Sequence, residues 1–461
     1  MILFYILVLS LPFVDHGLFG MAIGPLTLEK VLGAACFVYA LTYLPKRREF
    51  PGFFSSAQSK FFAAYVGMAV CSYLFTAENF DFNDMVGIFF SQFLFFVAIM
   101  ILVDSRERLE NTVLWATASL GVVSLYLIKE WLGAFRVYGV GYRPGWVAGD
   151  PNMFSASALI VLPLMFCPIL YARKRWQRNG AILSLILTLI GFVLAASRGG
   201  FIGLTALLLW HTKSWKRRII AVALIAAIIA VCFALPHSPL DRLLKPDASD
   251  KESSDIRLQL WSVSGKIFHD YPVFGVGLYN FPVYMHKYLP PDVDLEFVVP
   301  HNTYLEAAVE LGAVGLSLFV GVIVCSVLGA GRLRAMAVSA GDEYLTLLTT
   351  GLGSGLIGFA TSVMFLSAKH DKLFWFAVFM SATVAPLVRQ SWRDKAQAAD
   401  AAAALVREAI AVEAAPSVPA AEAPMTPLPA STSAVQNTSS KPPDPPDDEG
   451  PIRVGNWLTR H

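Results

Sequence analysis

Residues 181–211 read AILSLILTLIGFVLAASRGGFIGLTALLLWH, two apolar runs joined by Ser197-Arg198-Gly199-Gly200. A membrane-crossing helix needs about 20 mostly apolar residues, and the first run with its flank approaches that length. The same texture recurs outward in both directions. It predicts twelve spans, at about 2–20, 26–44, 61–77, 85–103, 112–132, 152–172, 180–196, 200–212, 219–236, 302–330, 344–368 and 373–388. The whole chain agrees: of 461 residues 56% are hydrophobic and 15% charged, where a soluble domain carries about 25% charged residues. The fold class expected is an all-α polytopic membrane protein. A soluble enzyme, a disordered protein and a disulfide scaffold are excluded. The net charge of +2 and the absence of a basic stripe give no nucleic-acid partner.

Short-loop lysines and arginines orient the spans. Sixteen fall on one set of loops (46–60, 106–108, 173–178, 213–218 and 332–334) and six on the alternate set. The richer set is the expected cytoplasmic face, with both termini on it. Four segments follow: spans 1–9 over 1–236, an outer loop over 237–300, spans 10–12 over 301–388, and a cytoplasmic Ala/Pro-rich tail over 389–461. An Ala-rich start of that tail suits a short helix and the remainder suits disorder. The apolar N-terminus has no Lys or Arg before Lys30, so it reads as a retained first span and not as a cleaved signal. Cys36, Cys71, Cys167, Cys232 and Cys325 sit inside apolar runs and read as small buried hydrophobes. No phosphate loop, zinc-protease motif or nucleophile elbow occurs.

The outer ends of the spans hold the polar residues that need explaining. Ser197-Arg198-Gly199-Gly200 places a cation where cations are scarce. Its guanidinium suits either a phosphate or a lipid headgroup, and the glycines allow backbone N–H groups near an anion. In DIRLQLWSVSGKIFHDYPVFGVGLYNF, residues 255–281, Ile256, Leu260, Val263 and Ile267 recur on one helical face. An amphipathic helix over 255–269 is expected, with Arg257, Trp261, Ser264 and Phe268 on the neighbouring stripe. Gly275 and Gly277 read as turn glycines. His301 precedes the tenth span, where the positive end of a helix dipole favours neutral imidazole, the form that accepts a proton. Thr303-x-x-Glu306 fits a capping box, which gives Glu306 a structural role. Asp150-Pro151 reads as a helix start, with Arg143 near enough to line a cavity.

SRGG after a span, R-x3-W, then P-x-x-GVG-x3-F and HNTYLEAAVELGAVGL resembles the O-antigen ligase/polymerase superfamily, most closely over 190–330. Its most specific piece is His301, Asn302, Leu305, Glu306, Glu310, Gly312 and Gly315. The resemblance implies a glycosyltransferase of the bacterial inner membrane, working at the periplasmic face in cell-surface polysaccharide or lipopolysaccharide biosynthesis. It implies a glycan donor on undecaprenyl diphosphate and a glycan, lipid A–core or protein acceptor, with neither cofactor nor metal. Carried onto this chain, Arg198 and Arg257 hold the diphosphate, and His301 deprotonates the acceptor. Asn302, Glu306, Ser197, Gly275 and Gly277 support them. The ligase reading is preferred. Polymerisation of lipid-linked repeats shares the motifs, and a glycolipid transporter is the rival outside the family. A transporter would carry its polar residues at midplane on duplicated, broken helices, whereas here they gather at span ends.

Overall fold

The computed structural model describes residues 1–13, 22–23, 26–47, 52–76, 82–138, 142–145, 150–211, 248–290 and 298–414. Among them the fold is helical, apart from one antiparallel pair of two-residue strands, Ala22–Ile23 and Leu26–Thr27, which the all-α expectation did not include. The helices are α1 Ile2–Ser10, α2 Leu28–Tyr43, α3 Ala57–Phe75, α4 Phe82–Leu102, α5 Arg106–Tyr138, α6 Pro151–Val161 and α7 Phe166–Tyr171. Then come α8 Arg175–Ala195, α9 Arg198–His211, α10 Ala248–Asp270, α11 Phe281–Tyr288, α12 Thr303–Ala340, α13 Glu343–Ser362 and α14 Lys372–Ala414.

Among the described residues, six stretches are long and apolar enough to cross a membrane: Arg106–Ala134, Pro151–Tyr171, Arg175–Ala195, Thr303–Ala340, Glu343–Phe365 and Lys372–Ile410. The protein is therefore a multi-pass membrane protein, although twelve crossings do not emerge among the described residues. The first expected span is only the nine-residue α1. The sixth stands as the single stretch Pro151–Tyr171, interrupted between α6 and α7 near Pro163, which lacks an amide to continue the ladder. The eighth is the 14-residue α9, and the ninth, at 219–236, lies outside the described residues. The expected end of the twelfth span at 388 is no helix end, since α14 runs on to Ala414. The Ala, Arg, Lys and Glu residues after 389 are strong helix formers and carry it there. By internal contacts the chain forms two units, Met1–Ala403 and Ala404–His461, and residues 404–414 of the second complete α14.

Helix starts follow their capping residues. Asp150 accepts hydrogen bonds from the amides of Asn152 and Met153, ahead of Pro151 at the first helical position. The loops expected to be cytoplasmic are tied together through Arg106–Asp342, Arg108–Asp104, Tyr43–Asp104 and Tyr171–Glu343. At the other ends of these helices the packing is set by small residues. A Cβ on Gly203 of α9 would lie 2.5 Å from the carbonyl oxygen of Gly358 in α13, so the two helices cross at backbone contact. That crossing sets Arg198, at the start of α9, beside the end of α13.

Helix α12 is broken where the sequence gives no Pro. Gly312 has φ 64° and ψ −168°, a conformation only glycine adopts without strain. The amides of Ala313 and Val314 leave the helix and donate to the carbonyls of Pro272 and Val273, at 2.8 and 3.3 Å. The carbonyls of Val309 and Glu310, so deprived, accept from the amides of Val276 and Gly277, at 2.9 and 2.8 Å. Segment 272–277 thus supplies the ladder that α12 lacks. Gly275 is required by this approach, since a Cβ there would come 2.4 Å from the carbonyl carbon of Glu310.

Candidate functional site

Helix α10 is longer than the amphipathic helix expected at 255–269, and it buries the face anticipated. Leu260, Val263 and Ile267 pack with Val276, Phe281, Met285 and Val309 in a small core of their own. Burying that face turns the neighbouring stripe, Arg257 and Trp261, toward the end of α13. There they line a cavity of about 500 Å³ together with Ser197, Arg198 and Gly199 from the α8–α9 junction, and Phe365 and Leu366 after α13. Arg143 and Asn152 lie on the same wall. Arg198 and Arg257, chosen from separate motifs, are thus brought into one chamber. Nε of Arg257 is itself buried and has no hydrogen-bond partner, which marks this guanidinium as a donor not fully satisfied by the protein.

The SRGG segment divides its labour. Ala196 turns left-handed with φ 45°, and the hydroxyl of Ser197 caps α9 by accepting from the amide of Gly200 at 3.2 Å. Gly199 lines the cavity. Gly200 does not: a Cβ there would lie 2.7 Å from that of Ser155, so this glycine serves helix packing. Gly277 likewise packs on Thr76, and Gly275 on Glu310. Both support the loop and touch no cavity wall.

His301 stands next to the chamber. Its neighbour Pro300 accepts a hydrogen bond from the indole N–H of Trp261 at 2.9 Å. On the other side, the amide and hydroxyl of Thr303 both donate to the carbonyl of Leu366, at 3.0 and 2.6 Å. Trp261 and Leu366 are cavity walls, so His301 is suspended between two of them. Its own backbone is left-handed, with φ 51°. Among the described residues only Ala196, Tyr279 and His301 are non-glycine positions with positive φ, and such strain concentrates at functional sites. Burial, and then the charge of Arg257, hold its imidazole below the ordinary pKa of 6.5, opposed by Asp150 and Glu306. These causes favour the neutral form, the state to which the position of His301 ahead of α12 also points.

The structure overturns the expected capping box. Asn302, not Thr303, is the N-cap: its side-chain oxygen accepts from the amides of Tyr304 and Leu305 at 3.0 and 3.2 Å. The shift of one residue carries Glu306 past the reach of the cap. Its carboxylate instead pairs with Lys369 at 2.8 Å, and Lys369 pairs with Glu310 as well. All three are almost fully buried. Asn302 is committed to the helix start, so its hold on His301 passes through the backbone. Arg143, expected near enough to the Asp150-Pro151-Asn152 helix start to line a cavity, does line it together with Asn152, whereas Lys369 is not marked by any sequence motif. A carboxylate inside an apolar span, as at Glu310, is a signal that a partner must exist.

Residues 183–320 match the family model described as O-antigen ligase. The chain is 27% identical over 244 residues to an O-antigen ligase of Pseudomonas aeruginosa, covering 50% of this chain and 53% of that protein. It is 24% identical over 260 residues to an uncharacterized protein of Haemophilus influenzae, covering 50% of this chain and 63% of the relative. It therefore spans less than two thirds of either relative. These matches support the O-antigen ligase superfamily, a membrane glycosyltransferase family of polysaccharide biosynthesis. The matched region contains Arg198, Arg257 and His301, while Arg143, Asn152 and Lys369 lie outside it.

Proposed function

We propose that this chain, carrying an O-antigen ligase domain, transfers a glycan from undecaprenyl diphosphate to an acceptor hydroxyl at the periplasmic face of the bacterial inner membrane. One observation carries the reading: Arg198 and Arg257 share a cavity whose walls hold His301 in place. Transfer of a glycosyl group from a diphosphate makes two demands. The departing diphosphate accumulates charge that fixed cations stabilise, and the acceptor hydroxyl needs a base as it attacks. The guanidiniums of Arg198 and Arg257 meet the first demand. A neutral, partly buried imidazole meets the second.

In the reaction the acceptor oxygen forms a bond to the anomeric carbon while the bond from that carbon to the diphosphate breaks. The electron pair stays on the diphosphate, and the acceptor proton passes to His301. Ser197 and Gly199 fix the backbone that presents Arg198, and Asn302 fixes the helix start behind His301. Polar groups gathered around a cavity at helix ends favour chemistry over transport.

The test uses purified protein in lipid with a glycan repeat on undecaprenyl diphosphate, alone and then with lipid A–core. Transfer to the added acceptor that His301→Ala abolishes supports a ligase. A ladder of longer lipid-linked glycans in the absence of acceptor would make the enzyme a polymerase instead. Transfer unchanged in His301→Ala removes the histidine as base.

A further inference from the structure

Helix α10 buries one face in its small core, and another stripe of it stays in the open. Leu258, Ser262, Gly265 and His269 recur at intervals of four, three and four residues, so they line one side of the helix, and each is exposed. At a rise of about 1.5 Å per residue the stripe runs about 17 Å. It begins at the cavity, because Leu258 is one of the cavity walls. Its middle carries little side chain: a Cβ built on Gly265 would meet nothing within 4 Å among the described residues. Glycine inside a helix costs stability relative to alanine, and no packing neighbour requires it at this position. The backbone there lies open to a ligand.

The far end of the stripe is a built cluster. Oδ2 of Asp270 accepts from the hydroxyl of Tyr288 at 2.7 Å, and Nδ1 of His269 stands 3.1 Å from Oδ1. These contacts hold the carboxyl below the ordinary carboxylate range, so it is ionised at neutral pH. Each of its oxygens keeps a lone pair for a further donor. Beside it the ring of Tyr271, 41% exposed, meets Tyr284 edge to face at 5.5 Å. The cluster is anchored, since the carbonyls of the next two residues, Pro272 and Val273, hold the amides of Ala313 and Val314 in α12. An exposed aromatic ring next to a fixed carboxylate suits the two sides of a sugar. The apolar C–H face of a pyranose lies on the ring, and its hydroxyls donate to the charge. Hydrocarbon would desolvate the carboxylate, which disfavours a lipid occupant.

We propose that this stripe, from Leu258 over Ser262 and Gly265 to Asp270, Tyr271 and Tyr288, is a track for the glycan of the lipid-linked substrate. A pyranose several sugars away from the carrier rests on Tyr271 and donates to Asp270. The inference rests on the glycosyl-transfer reading above and adds a length requirement to it. One pyranose is far shorter than the track, so a donor with a single sugar does not reach the cluster, whereas a complete repeat does.

The experiment measures binding to the protein in nanodiscs, without acceptor, of undecaprenyl diphosphate carrying N-acetylglucosamine alone and of the same carrier with the complete glycan repeat. A hydrogen bond to a charged group is worth about tenfold in affinity or more, and wild-type protein should prefer the complete repeat by about that factor. Asp270→Ala and Tyr271→Ala should each weaken binding of the complete repeat by about threefold to tenfold, with the single-sugar lipid within about twofold of wild type. Gly265→Trp, which fills the track without meeting a neighbour, should abolish the preference, and Gly265→Ala, too small to fill it, should keep it. Wild-type protein that binds both lipids equally overturns the proposal, and so does a Gly265→Trp protein that retains the preference. Equal weakening toward both lipids in the variants would mark a contact with the membrane surface and overturn it too. The titrations involve no turnover, so a length preference without transfer would fail the functional reading alone, and transfer without the preference would fail the track alone.

Discussion

Replacing Lys369 by methionine keeps the aliphatic length and removes the one cation that Glu306 and Glu310 share. Lys369 and Glu310 are 1% exposed and Glu306 is 4% exposed, so water does not take over from the ammonium. The two carboxylates are one helical turn apart on α12 and would be left facing each other. Breaking a buried ion pair from one side costs about 3–5 kcal/mol. Two pairs are lost at once here, which places the cost near the upper end, at about 5 kcal/mol. A domain is stable by only about 5–15 kcal/mol in total, and a loss of this size lowers the melting temperature by roughly 10 °C. The assay is thermal unfolding of purified protein in nanodiscs. The decisive companion is Lys369→Met with Glu306→Gln and Glu310→Gln, which removes the whole ionic cluster at once. Replacing a buried cluster by neutral groups of similar size is close to neutral, so most of the lost stability should return. The reasoning fails if Lys369→Met melts with the wild type, or if the triple variant is no better than the single one.

The pH dependence of transfer should show the hold of Arg257 on His301. With the imidazole pKa pushed below 6.5, wild-type activity persists under that pH and falls only at the lower folded value, where His301 takes up its proton. The residual activity of Arg257→Gln should lose its acid limb at a higher pH, while Arg257→Lys, which keeps the charge, should not; identical limbs in all three would detach Arg257 from the base. Gly312→Ala would set a Cβ 2.1 Å from the carbonyl oxygen of Val273. Four backbone hydrogen bonds, each worth about 1 kcal/mol, should then open. Hydrogen exchange at the amides of Val276, Gly277, Ala313 and Val314 should accelerate by up to about a thousandfold, and unchanged protection would count against the ladder. Asn302→Ala removes the cap of α12 and should cost about 1 kcal/mol in unfolding free energy, with Thr303 unable to substitute because its hydroxyl is committed to Leu366. An unaltered melting curve would return the cap to Thr303.

Much of the site was legible because its residues act locally. Arg198 follows a span and Arg257 lies next to the apolar stripe of an amphipathic helix, so sequence spacing alone predicts where each side chain emerges. Burial of Leu260, Val263 and Ile267 then turns Arg257 and Trp261 to the cavity as the periodicity requires. Glu306 was misread because a cap is decided by a single residue of register. Asn302 and Thr303 are both good caps, and the hydroxyl of Thr303 found a better acceptor 63 residues away. Lys369 could not be paired by spacing, because the chain returns to α12 only after one further helix, α13. The break at Gly312 is hidden for a similar reason. Its glycine looks like any other in an apolar helix, and the segment that satisfies it lies 35–40 residues earlier.

The broken helix also bears on how the protein is made. An unpaired amide or carbonyl in hydrocarbon costs several kcal/mol, so irregular backbone at membrane depth survives only against protein. Until segment 272–277 docks, α12 holds two open carbonyls and two open amides around Gly312, together with two carboxylates awaiting Lys369. Its first turns therefore have no autonomous reason to settle in lipid. The segment that precedes α12 in the chain supplies these backbone partners, and the residues after α13 bring Lys369 to the two carboxylates. A cell would register damage to this joint as a shortage of protein, cleared by membrane quality control before it works. Damage at Arg198 or His301 would leave normal amounts of a protein that does nothing.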